Sequence, residues 1–381
     1  MAGARADRYP GAETRIPHAG DRQDRVAAAR RALRNARDAS PSRPIGRHQP
    51  DARLSMGQVL VTGAAGFIGA HLCRALLARG EQVIGLDNLN PYYDPALKRA
   101  RLAALTGDAP QGAFAFRLLD LADQEAVLAF LRESPGVDRV VHLGAQAGVR
   151  WSLEAPFAYT AANVTGQLAI LEAVRRSEGR IRHTVYASTS SVYGARAEGA
   201  FRESDRTDHP ASLYAATKLA GELMSRTYAE LYALKLTGLR FFTVYGPWGR
   251  PDMAYWLFTE AMLQGRPVRL FNQGRMKRDF TYVDDIVAGV LAALDSPPAA
   301  PGHRLYNIGN SRPEELQDLV TILEELLGVQ ARREYLPMQP GDVPATYADV
   351  SAMERDFGWR PTTDLRTGLG RFVAWWRGHF G

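Results

Sequence analysis

Three glycines that directly follow an apolar run constrain this chain more than any other feature. The run Val59–Thr62 leads into Gly63, Gly66 and Gly69, and a helix-length segment begins within that spacing. Without side chains, such a turn lets backbone N–H groups and a helix N-terminus approach a pyrophosphate. Asp87 ends the next apolar run, 18 residues beyond Gly69, where a carboxylate accepts hydrogen bonds from ribose hydroxyls. The sequence therefore predicts a dinucleotide site at this turn.

The charge of Asp87 discriminates between the two nicotinamide dinucleotides. Its carboxylate would repel a 2′-phosphate, and residues 88–90 contain no arginine that would bind one. NAD is therefore favoured over NADP. Asp120 closes the third apolar run, and we expect it to approach the adenine edge.

Apolar runs and helix-length segments alternate from residue 59 to residue 242. Short apolar strands separated by helices require crossover connections, which bury a parallel sheet on both faces. The pattern therefore predicts an α/β fold of the doubly wound (Rossmann) type. We expect strands at 59–62, 82–87, 114–120, 138–143, 183–188 and 236–242 and helices near 67–79, 95–105, 123–132, 156–177 and 212–233.

Composition and pattern divide the chain into three parts. Residues 1–55 carry 12 Arg, no Lys and 6 Asp or Glu, with almost no large apolar side chains, so we expect a disordered basic tail. Residues 56–242 are predicted to form the NAD-binding domain, with a later segment, about 281–303, returning to it. The alternation fails beyond residue 242, so 243–381 are expected to form mainly a smaller C-terminal α/β domain for the substrate, with irregular structure at 243–280 and about 304–350.

The net charge of +6 resides in the tail, because residues 56–381 hold 35 basic and 35 acidic side chains. No basic excess is left to neutralise nucleic-acid phosphates. One cysteine, Cys73, excludes a disulfide framework and a cysteine zinc site, and we expect no bound metal. The sequence has neither an apolar run of about 18 residues nor a secretory signal. We therefore expect a soluble, cytoplasmic protein without a membrane partner.

A second motif supplies the chemistry. Tyr214 and Lys218 stand four residues apart in a predicted helix, so the phenol and the ammonium share one face. A free tyrosine ionises near pH 10, and lowering that pKa by about three units requires roughly 4 kcal/mol. Lys218 and a nicotinamide ring are the expected sources of the necessary positive charge. Thr189, at the end of the fifth strand, is placed to hydrogen-bond the reacting oxygen.

These motifs identify the chain as similar to a known family. TGAAGFIG, YASTSSVYG and the Tyr214–Lys218 pair resemble the extended short-chain dehydrogenases/reductases. Within that family, HLGAQAGVRWSLEAP, SLYAATKLAGELM, LRFFTVYGPWGRPDMA, MKRDFTYVDDI and MQPGDVPATYADV resemble the NAD-dependent UDP-glucuronate 4-epimerases over residues 57–375. The resemblance implies that Tyr214 takes the proton of the sugar 4-hydroxyl while C4 passes a hydride to NAD. The keto sugar then turns over and is reduced on its other face.

The resemblance also implies roles for individual residues. Arg278 would bind the pyrophosphate of the UDP-sugar, Asp342 a uridine ribose hydroxyl, and Arg150 and Arg250 anionic groups. Thr243 stands where hexose epimerases carry Asn, which leaves room for a C6 carboxylate. A homodimer, joined by the helices near 156–177 and 212–233, is implied as well.

The candidate site residues fall into three groups. The catalytic residues are Thr189, Tyr214 and Lys218. The predicted cofactor contacts are Gly63, Gly66, Phe67, Ile68, Gly69, Asp87, Asn88, Asp120, Leu121, Leu143, Gln146, Asn163, Ser188, Tyr214, Lys218 and Phe241. The predicted contacts to the UDP-sugar are Arg150, Thr189, Ser190, Ser191, Thr243, Arg250, Met253, Arg278 and Asp342.

Ser190 and Ser191 separate epimerisation from sibling reactions. The family's dehydratases carry Asp and Glu at these positions, and its UDP-glucuronate decarboxylases carry Ser and Glu. Serine cannot perform that acid and base work near neutral pH, so elimination is disfavoured. The alternatives that stay open are a UDP-glucose or UDP-N-acetylglucosamine 4-epimerase, a UDP-glucuronate decarboxylase, and a non-catalytic NAD-sensing partner protein on the same fold.

Overall fold

The computed structural model describes residues 57–195, 199–338 and 345–380. The predicted basic tail and Asp342 lie outside these residues. The thirteen strands within them are β1 Gln58–Thr62, β2 Gln82–Asp87, β3 Phe114–Leu118, β4 Val137–His142, β5 His183–Thr189, β6 Lys235–Phe241, β7 Thr243–Tyr245, β8 Val268–Leu270, β9 Lys277–Tyr282, β10 Gly302–Ile308, β11 Pro313–Glu315, β12 Arg333–Tyr335 and β13 Ala345–Thr346.

The α-helices of the described residues alternate with these strands. They are α1 Phe67–Ala78, α2 Pro95–Asp108, α3 Gln124–Arg132, α4 Trp151–Glu154, α5 Pro156–Tyr159, α6 Gly166–Arg175, α7 Leu213–Tyr232, α8 Ala254–Leu263, α9 Val283–Asp295, α10 Leu316–Leu327, α11 Ser351–Phe357 and α12 Leu365–Phe380. A π-helical segment, Thr160–Thr165, joins α5 to α6, and short 3₁₀ segments follow β5 and β8.

Seven parallel strands form the main sheet in the order β3-β2-β1-β4-β5-β6-β10. Val59 and Val61 face one core cluster and Leu60 faces another, because successive side chains of a strand point to opposite faces. The predicted doubly wound parallel sheet is confirmed. Chain order reverses beside β1, which lies between β2 and β4, and in such sheets ligands bind at the carboxyl ends of the strands at this switch point.

The seventh strand lies in a part of the chain for which we expected irregular structure in the smaller domain. After α9, the strand Gly302–Ile308 pairs in parallel with β6 along its whole length. The helix provides the crossover that a parallel strand requires, so the segment that returns to the main sheet extends beyond residue 303. The chain outside this sheet forms two small ones, with β9 contacting β7, β11 and β13, and with β8 paired to β12.

The helix predicted near 156–177 is interrupted. Its first part is the short helix α5, followed by the π-helical segment and then α6. Asn163, within the π-helical segment, is buried and makes three side-chain hydrogen bonds to residues outside its own helix. These bonds hold the segment against its neighbours. The periodicity of the sequence contains no sign of this interruption.

The third strand is two residues shorter than predicted. It ends at Leu118, and the side chain of Asp120 accepts a hydrogen bond from the backbone N–H of Ala122 at 2.9 Å. Such a local bond competes with continued strand pairing. Asp123 then caps α3 by accepting from Ala126 N–H. Among the described residues no helix combines the length and hydropathy of a membrane span, and no group of His, Cys, Asp and Glu is arranged to hold a metal ion.

Candidate active site

A cleft of about 1140 Å³ opens at the carboxyl ends of the central strands. Its lining includes the glycine turn after β1, the ends of β5 and β6, the start of α7 and segments that follow residue 242. A cleft lined by apolar side chains with a few convergent polar groups is the typical form of a ligand site.

The glycine turn has the backbone that the sequence predicts. Gly63 has a φ of +72°, in the left-handed region that favours glycine. A Cβ at Gly66 would lie 2.9 Å from the carbonyl oxygen of Gly63, and a Cβ at Gly69 would overlap that oxygen. No side chain caps the N-terminus of α1. The turn can therefore hold an anionic group against the free N–H groups of the helix, as a dinucleotide pyrophosphate requires.

Asp87 lies at the end of β2 and is buried beside a cation that the sequence analysis missed. Its Oδ1 accepts from the backbone N–H of Leu89 at 2.8 Å and lies 3.6 Å from Lys98 Nζ. Burial lowers the pKa of Lys98, and the Asp87 charge opposes that change. Asn88 donates to Asp120 at 3.1 Å, so two predicted adenosine contacts support each other. Lys98 stands on α2, far from any motif.

Asn163 is not part of the cleft lining, although the sequence analysis expected it to contact the cofactor. Its side chain accepts from Gln146 N–H at 2.8 Å and donates to Gln146 O and Thr217 Oγ1, both at 3.1 Å. It holds the loop after β4 from behind, and Gln146 itself faces the cleft. A contact of Asn163 with the cofactor therefore stays a prediction, since the side chain lies next to a cleft residue and outside the lining itself.

Tyr214 and Lys218 lie in the first turns of α7. Ser212 caps that helix by accepting from Ala215 N–H at 3.1 Å. Both side chains reach the cleft lining, and Thr189, at the end of β5, hydrogen-bonds the phenol of Tyr214. Lys218 is only 6% exposed. The structure therefore brings Thr189, Tyr214 and Lys218 together in one cleft.

The pKa of Tyr214 differs from our expectation. Burial raises it, while the hydrogen bond from Thr189 and the charge of Arg250 lower it without outweighing burial. We expected positive charge from Lys218 and the nicotinamide ring to lower this pKa, but desolvation is the larger effect in this cleft. Burial also lowers the pKa of Lys218 to about 8, and the charge of Glu222 opposes that shift. The lysine charge is therefore itself sensitive to pH.

A buried ion pair lies behind the lysine. Arg240, on β6, donates to both carboxylate oxygens of Glu222 at 2.8 and 2.7 Å, and Ser188 donates to the same carboxylate. Glu222 and Arg240 are each 3% exposed. The sequence analysis missed this pair. The available signal is the four-residue step from Lys218 to Glu222, which continues the helix face of Tyr214.

The other side of the cleft carries hydroxyl groups and an arginine. Thr189 Oγ1 accepts from Ser191 N–H at 3.2 Å, which tightens the turn after β5. Arg250 binds Asp252 through two nitrogens, with Nε 3.0 Å from Oδ1. Tyr92 donates to the same carboxylate at 3.0 Å. Neither Asp252 nor Tyr92 was among the predicted site residues, although Asp252 lies in the motif that contains Arg250.

The remaining predicted contacts to the UDP-sugar spread along the cleft. The Arg150 guanidinium lies 5.1 Å from the ring centroid of Phe271, and Arg278 belongs to β9. Of the predicted residues, the structure places these in the cleft lining: Gly63, Gly66, Phe67, Ile68, Gly69, Asp87, Asn88, Asp120, Leu121, Leu143, Gln146, Arg150, Ser188, Thr189, Ser190, Ser191, Tyr214, Lys218, Phe241, Thr243, Arg250, Met253 and Arg278.

The chain is similar to known proteins along most of its length. Residues 59–309 match the model of the NAD dependent epimerase/dehydratase family. UDP-glucuronate 4-epimerase 3 of Arabidopsis thaliana is 49% identical over 336 residues, which cover 84% of this chain and 77% of the plant protein.

Solved structures give the same picture. A UDP-glucuronic acid 4-epimerase from Bacillus cereus, in complex with UDP-glucuronic acid and NAD, is 34% identical with a TM-score of 0.78, covering 85% of this chain and 100% of that one. A UDP-glucose 4-epimerase from Thermotoga maritima, solved with UDP-glucose, is 30% identical with a TM-score of 0.75, covering 85% and 100%.

Proposed function

The chain belongs to the NAD dependent epimerase/dehydratase family, and from this premise we propose that it is a UDP-glucuronate 4-epimerase, which interconverts UDP-glucuronate and UDP-galacturonate. The observation that carries the proposal is the composition of one cleft. Tyr214, Lys218 and Thr189 line this cleft and provide the groups for proton transfer at an alcohol. Ser190 and Ser191 line it too, at the two positions where the enzymes of the sibling reactions carry carboxylates.

The cleft fits NAD on the evidence of its own residues. Gly69 leaves no space for a Cβ beside the carbonyl of Gly63, so the backbone is bare where a pyrophosphate would lie. Asp87 is buried at the end of β2, where it would accept from the adenosine ribose. When bound there, NAD would supply the hydride-transfer chemistry that oxidation and reduction at C4 of the sugar require.

Tyr214 is proposed as the base that removes the proton of the 4-hydroxyl. Thr189 hydrogen-bonds the phenol and holds it at the substrate. Burial raises the Tyr214 pKa, so positive charge close to the phenol is required during the reaction. Lys218, in the same helix, supplies such a charge while it is protonated, and Tyr214 returns the proton at the end of the cycle.

Arg250, Thr243 and the two serines are proposed to hold the C6 carboxylate. Oxidation at C4 makes the sugar a β-keto acid, which loses CO₂ readily unless its carboxylate is held in place. Ser190 and Ser191 offer neutral hydroxyl groups, and Arg250 offers a planar guanidinium. The keto sugar must also turn over within the cleft, so this grip cannot be rigid.

Incubation with three substrates tests the function. Purified protein is supplied with UDP-glucuronate, UDP-glucose or UDP-N-acetylglucosamine, and products are identified by NMR of the sugar ring. We expect UDP-galacturonate from UDP-glucuronate, with kcat/KM higher than for either neutral sugar. Faster turnover of UDP-glucose would assign the protein to the hexose epimerases, and a UDP-pentose as the main product would reveal a decarboxylase.

We also propose that two copies associate through α5 and α7. Phe157 is 85% exposed, and Leu223 and Leu231 on α7 are 61% and 67% exposed. Large apolar side chains grouped on one surface mark an interaction site. Light scattering of Leu223→Glu tests this proposal, since we expect a monomer where the parent protein is a dimer. Leu118→Glu, at an equally exposed leucine of β3, should leave the dimer intact.

The proposed setting is the cytoplasm. Cys73, the one cysteine of the sequence, is buried and free, which fits a protein that needs no oxidising compartment. Fractionation of the producing cells, followed by activity measurements on each fraction, tests this assignment.

A further inference from the structure

Asp252 forms an ion pair with Arg250, the arginine that we propose binds the substrate carboxylate. Arg250 binds it with Nε at 3.0 Å from Oδ1 and Nη2 at 2.5 Å from Oδ2. A guanidinium pairs with a carboxylate through two parallel N–H bonds of this kind. The side chains are 25% and 29% exposed, and both face the cleft. The Arg250 guanidinium is therefore accessible to a substrate carboxylate, but its hydrogen bonds are already made to Asp252.

The backbone that carries Arg250 is held from behind by Arg101. The Arg101 guanidinium donates to the carbonyl oxygens of Trp248 at 3.0 and 2.7 Å, of Gly249 at 2.8 Å and of Ala65 at 3.0 Å. It is 1% exposed, and Trp248 has a φ of +57°, which few non-glycine residues adopt. The backbone before Arg250 is thus tied to the glycine turn. Any change of partner must come from the Arg250 side chain.

Asp252 has a second partner that remains if the arginine moves away. Tyr92 donates to Oδ2 at 3.0 Å, so the carboxylate is not left bare when Arg250 turns towards another anion. Burial raises the pKa of Asp252, while the charge and hydrogen bonds of Arg250 and the hydrogen bond from Tyr92 lower it. The net shift of this pKa is downward, so the group is ionised at neutral pH. Arg250 and Asp252 together are then a neutral pair beside Tyr214.

We propose that Asp252 is a placeholder carboxylate, which exchanges with the C6 carboxylate of the hexuronate on Arg250 and so weakens the enzyme's grip on the sugar. The inference rests on the proposed function. A partly buried guanidinium without a competitor would bind the substrate carboxylate strongly throughout the cycle. An epimerase must release its keto sugar to let it turn over, and a competing carboxylate on the same guanidinium makes release easier. Asp252 acts through Arg250 and is a positioning residue.

Asp252→Asn tests the exchange, because the amide keeps the shape and removes the charge. We expect the KM for UDP-glucuronate to fall about tenfold and kcat to fall by at least a similar factor, since the substrate is held too tightly to turn over. The inhibition constant of UDP-glucose, which has no C6 carboxylate, should stay within about twofold. A general structural defect would instead weaken the binding of both UDP-glucuronate and UDP-glucose.

Asp208→Asn is the matched control. Asp208 pairs with Arg206, also two residues away, but this pair lies on the surface and outside the cleft lining. We expect the kinetic constants of the Asp208→Asn variant to equal those of the parent protein. An unchanged or increased KM for UDP-glucuronate in Asp252→Asn overturns the inference. So does a change of the UDP-glucose inhibition constant by the same factor as the KM.

Tyr92→Phe provides a second test of the exchange if the Asp252→Asn variant does not fold. Without the Tyr92 hydroxyl, Asp252 depends on Arg250 alone and competes more strongly, so the KM for UDP-glucuronate should rise about threefold at constant UDP-glucose inhibition. A KM that is unchanged or lower contradicts the inference. Failure of the proposed function is recognised separately, because the parent protein would then not epimerise UDP-glucuronate at all.

Discussion

Ser188 donates a 2.5 Å hydrogen bond to Glu222, the residue four positions beyond Lys218 on α7. The bond joins the end of β5, which lines the cleft, to the helix that carries the proposed base. Arg240 binds the other side of the same carboxylate from β6. Three elements that converge on the cleft are thus connected through one buried acid.

Glu222→Gln should destabilise the protein by about 3–5 kcal/mol, because it leaves Arg240 buried without a countercharge. Urea unfolding followed by circular dichroism measures this change. The double variant Glu222→Gln with Arg240→Met should recover most of the lost stability, since it also removes the buried charge that has no partner in the single variant. Glu230→Gln, which breaks an exposed ion pair with Arg226 on the same helix, should change stability by less than about 0.5 kcal/mol.

Tyr214→Phe should lower kcat by about 10²–10⁴-fold, since it removes the proposed proton acceptor and leaves the ring in place. Bound NAD should be retained, which the ratio of absorbance at 260 and 280 nm of the purified protein and extraction of the nucleotide would report. Tyr335→Phe, at an exposed tyrosine outside the cleft lining, serves as the control. Full activity in Tyr214→Phe would contradict the assignment.

Activity should fall as the pH rises through about 8, where Lys218 loses its proton. Burial lowers this pKa from 10.5, so the charge beside Tyr214 disappears well before that of a free lysine would. We expect kcat/KM to decrease about tenfold per pH unit above that value. Lys218→Met should be slow and lack this alkaline limb. An alkaline limb that persists in Lys218→Met would assign the ionisation to another group.

The same profile separates two roles of Glu222. Its charge raises the pKa of Lys218, so Glu222→Gln should move the alkaline limb to lower pH. A pH-rate profile of the folded fraction measures the shift. If the limb does not move although stability falls, Glu222 acts on the fold and has no influence on the charge of the lysine.

Gly69→Ala should abolish NAD binding and destabilise the turn, because the added Cβ would overlap the carbonyl oxygen of Gly63. Nucleotide content after purification and thermal unfolding report the two effects. Gly107→Ala, in α2 with no atom within 4 Å of the added Cβ, should stabilise the helix by about 0.5–1 kcal/mol. Equal behaviour of the two variants would show that the turn tolerates a side chain.

The features that the sequence predicts correctly depend on short-range pattern. The glycine turn and the Tyr214–Lys218 pair each lie within eight residues, where helix and strand geometry determine which side chains share a face. Apolar alternation likewise predicts six strands of the sheet. The seventh, Gly302–Ile308, was not expected there, because its place depends on the crossover helix α9 and on pairing with β6.

Other errors arise from burial, which a sequence pattern does not contain. The pKa of Tyr214 is raised although the charge of Arg250 acts to lower it, since desolvation outweighs that charge. Lys98 and Arg240 were missed because their partners are 11 and 18 residues away along the chain. Asp252 lies in the same motif as Arg250, but the motif does not show that the two side chains pair. The hydrogen bond between Asn163 and the Gln146 N–H was likewise not foreseen, because it joins two segments 17 residues apart along the chain.

The π-helical segment Thr160–Thr165 bears on how this enzyme tolerates insertions and deletions. A π turn contains one residue more than an α turn, so a single deletion there would let the helix close into regular α geometry with its backbone bonds intact. The deletion would nevertheless swing Asn163 away from Gln146 and Thr217. Chains that differ by one residue at this point should therefore keep the architecture and differ in the shape of the cleft near Gln146.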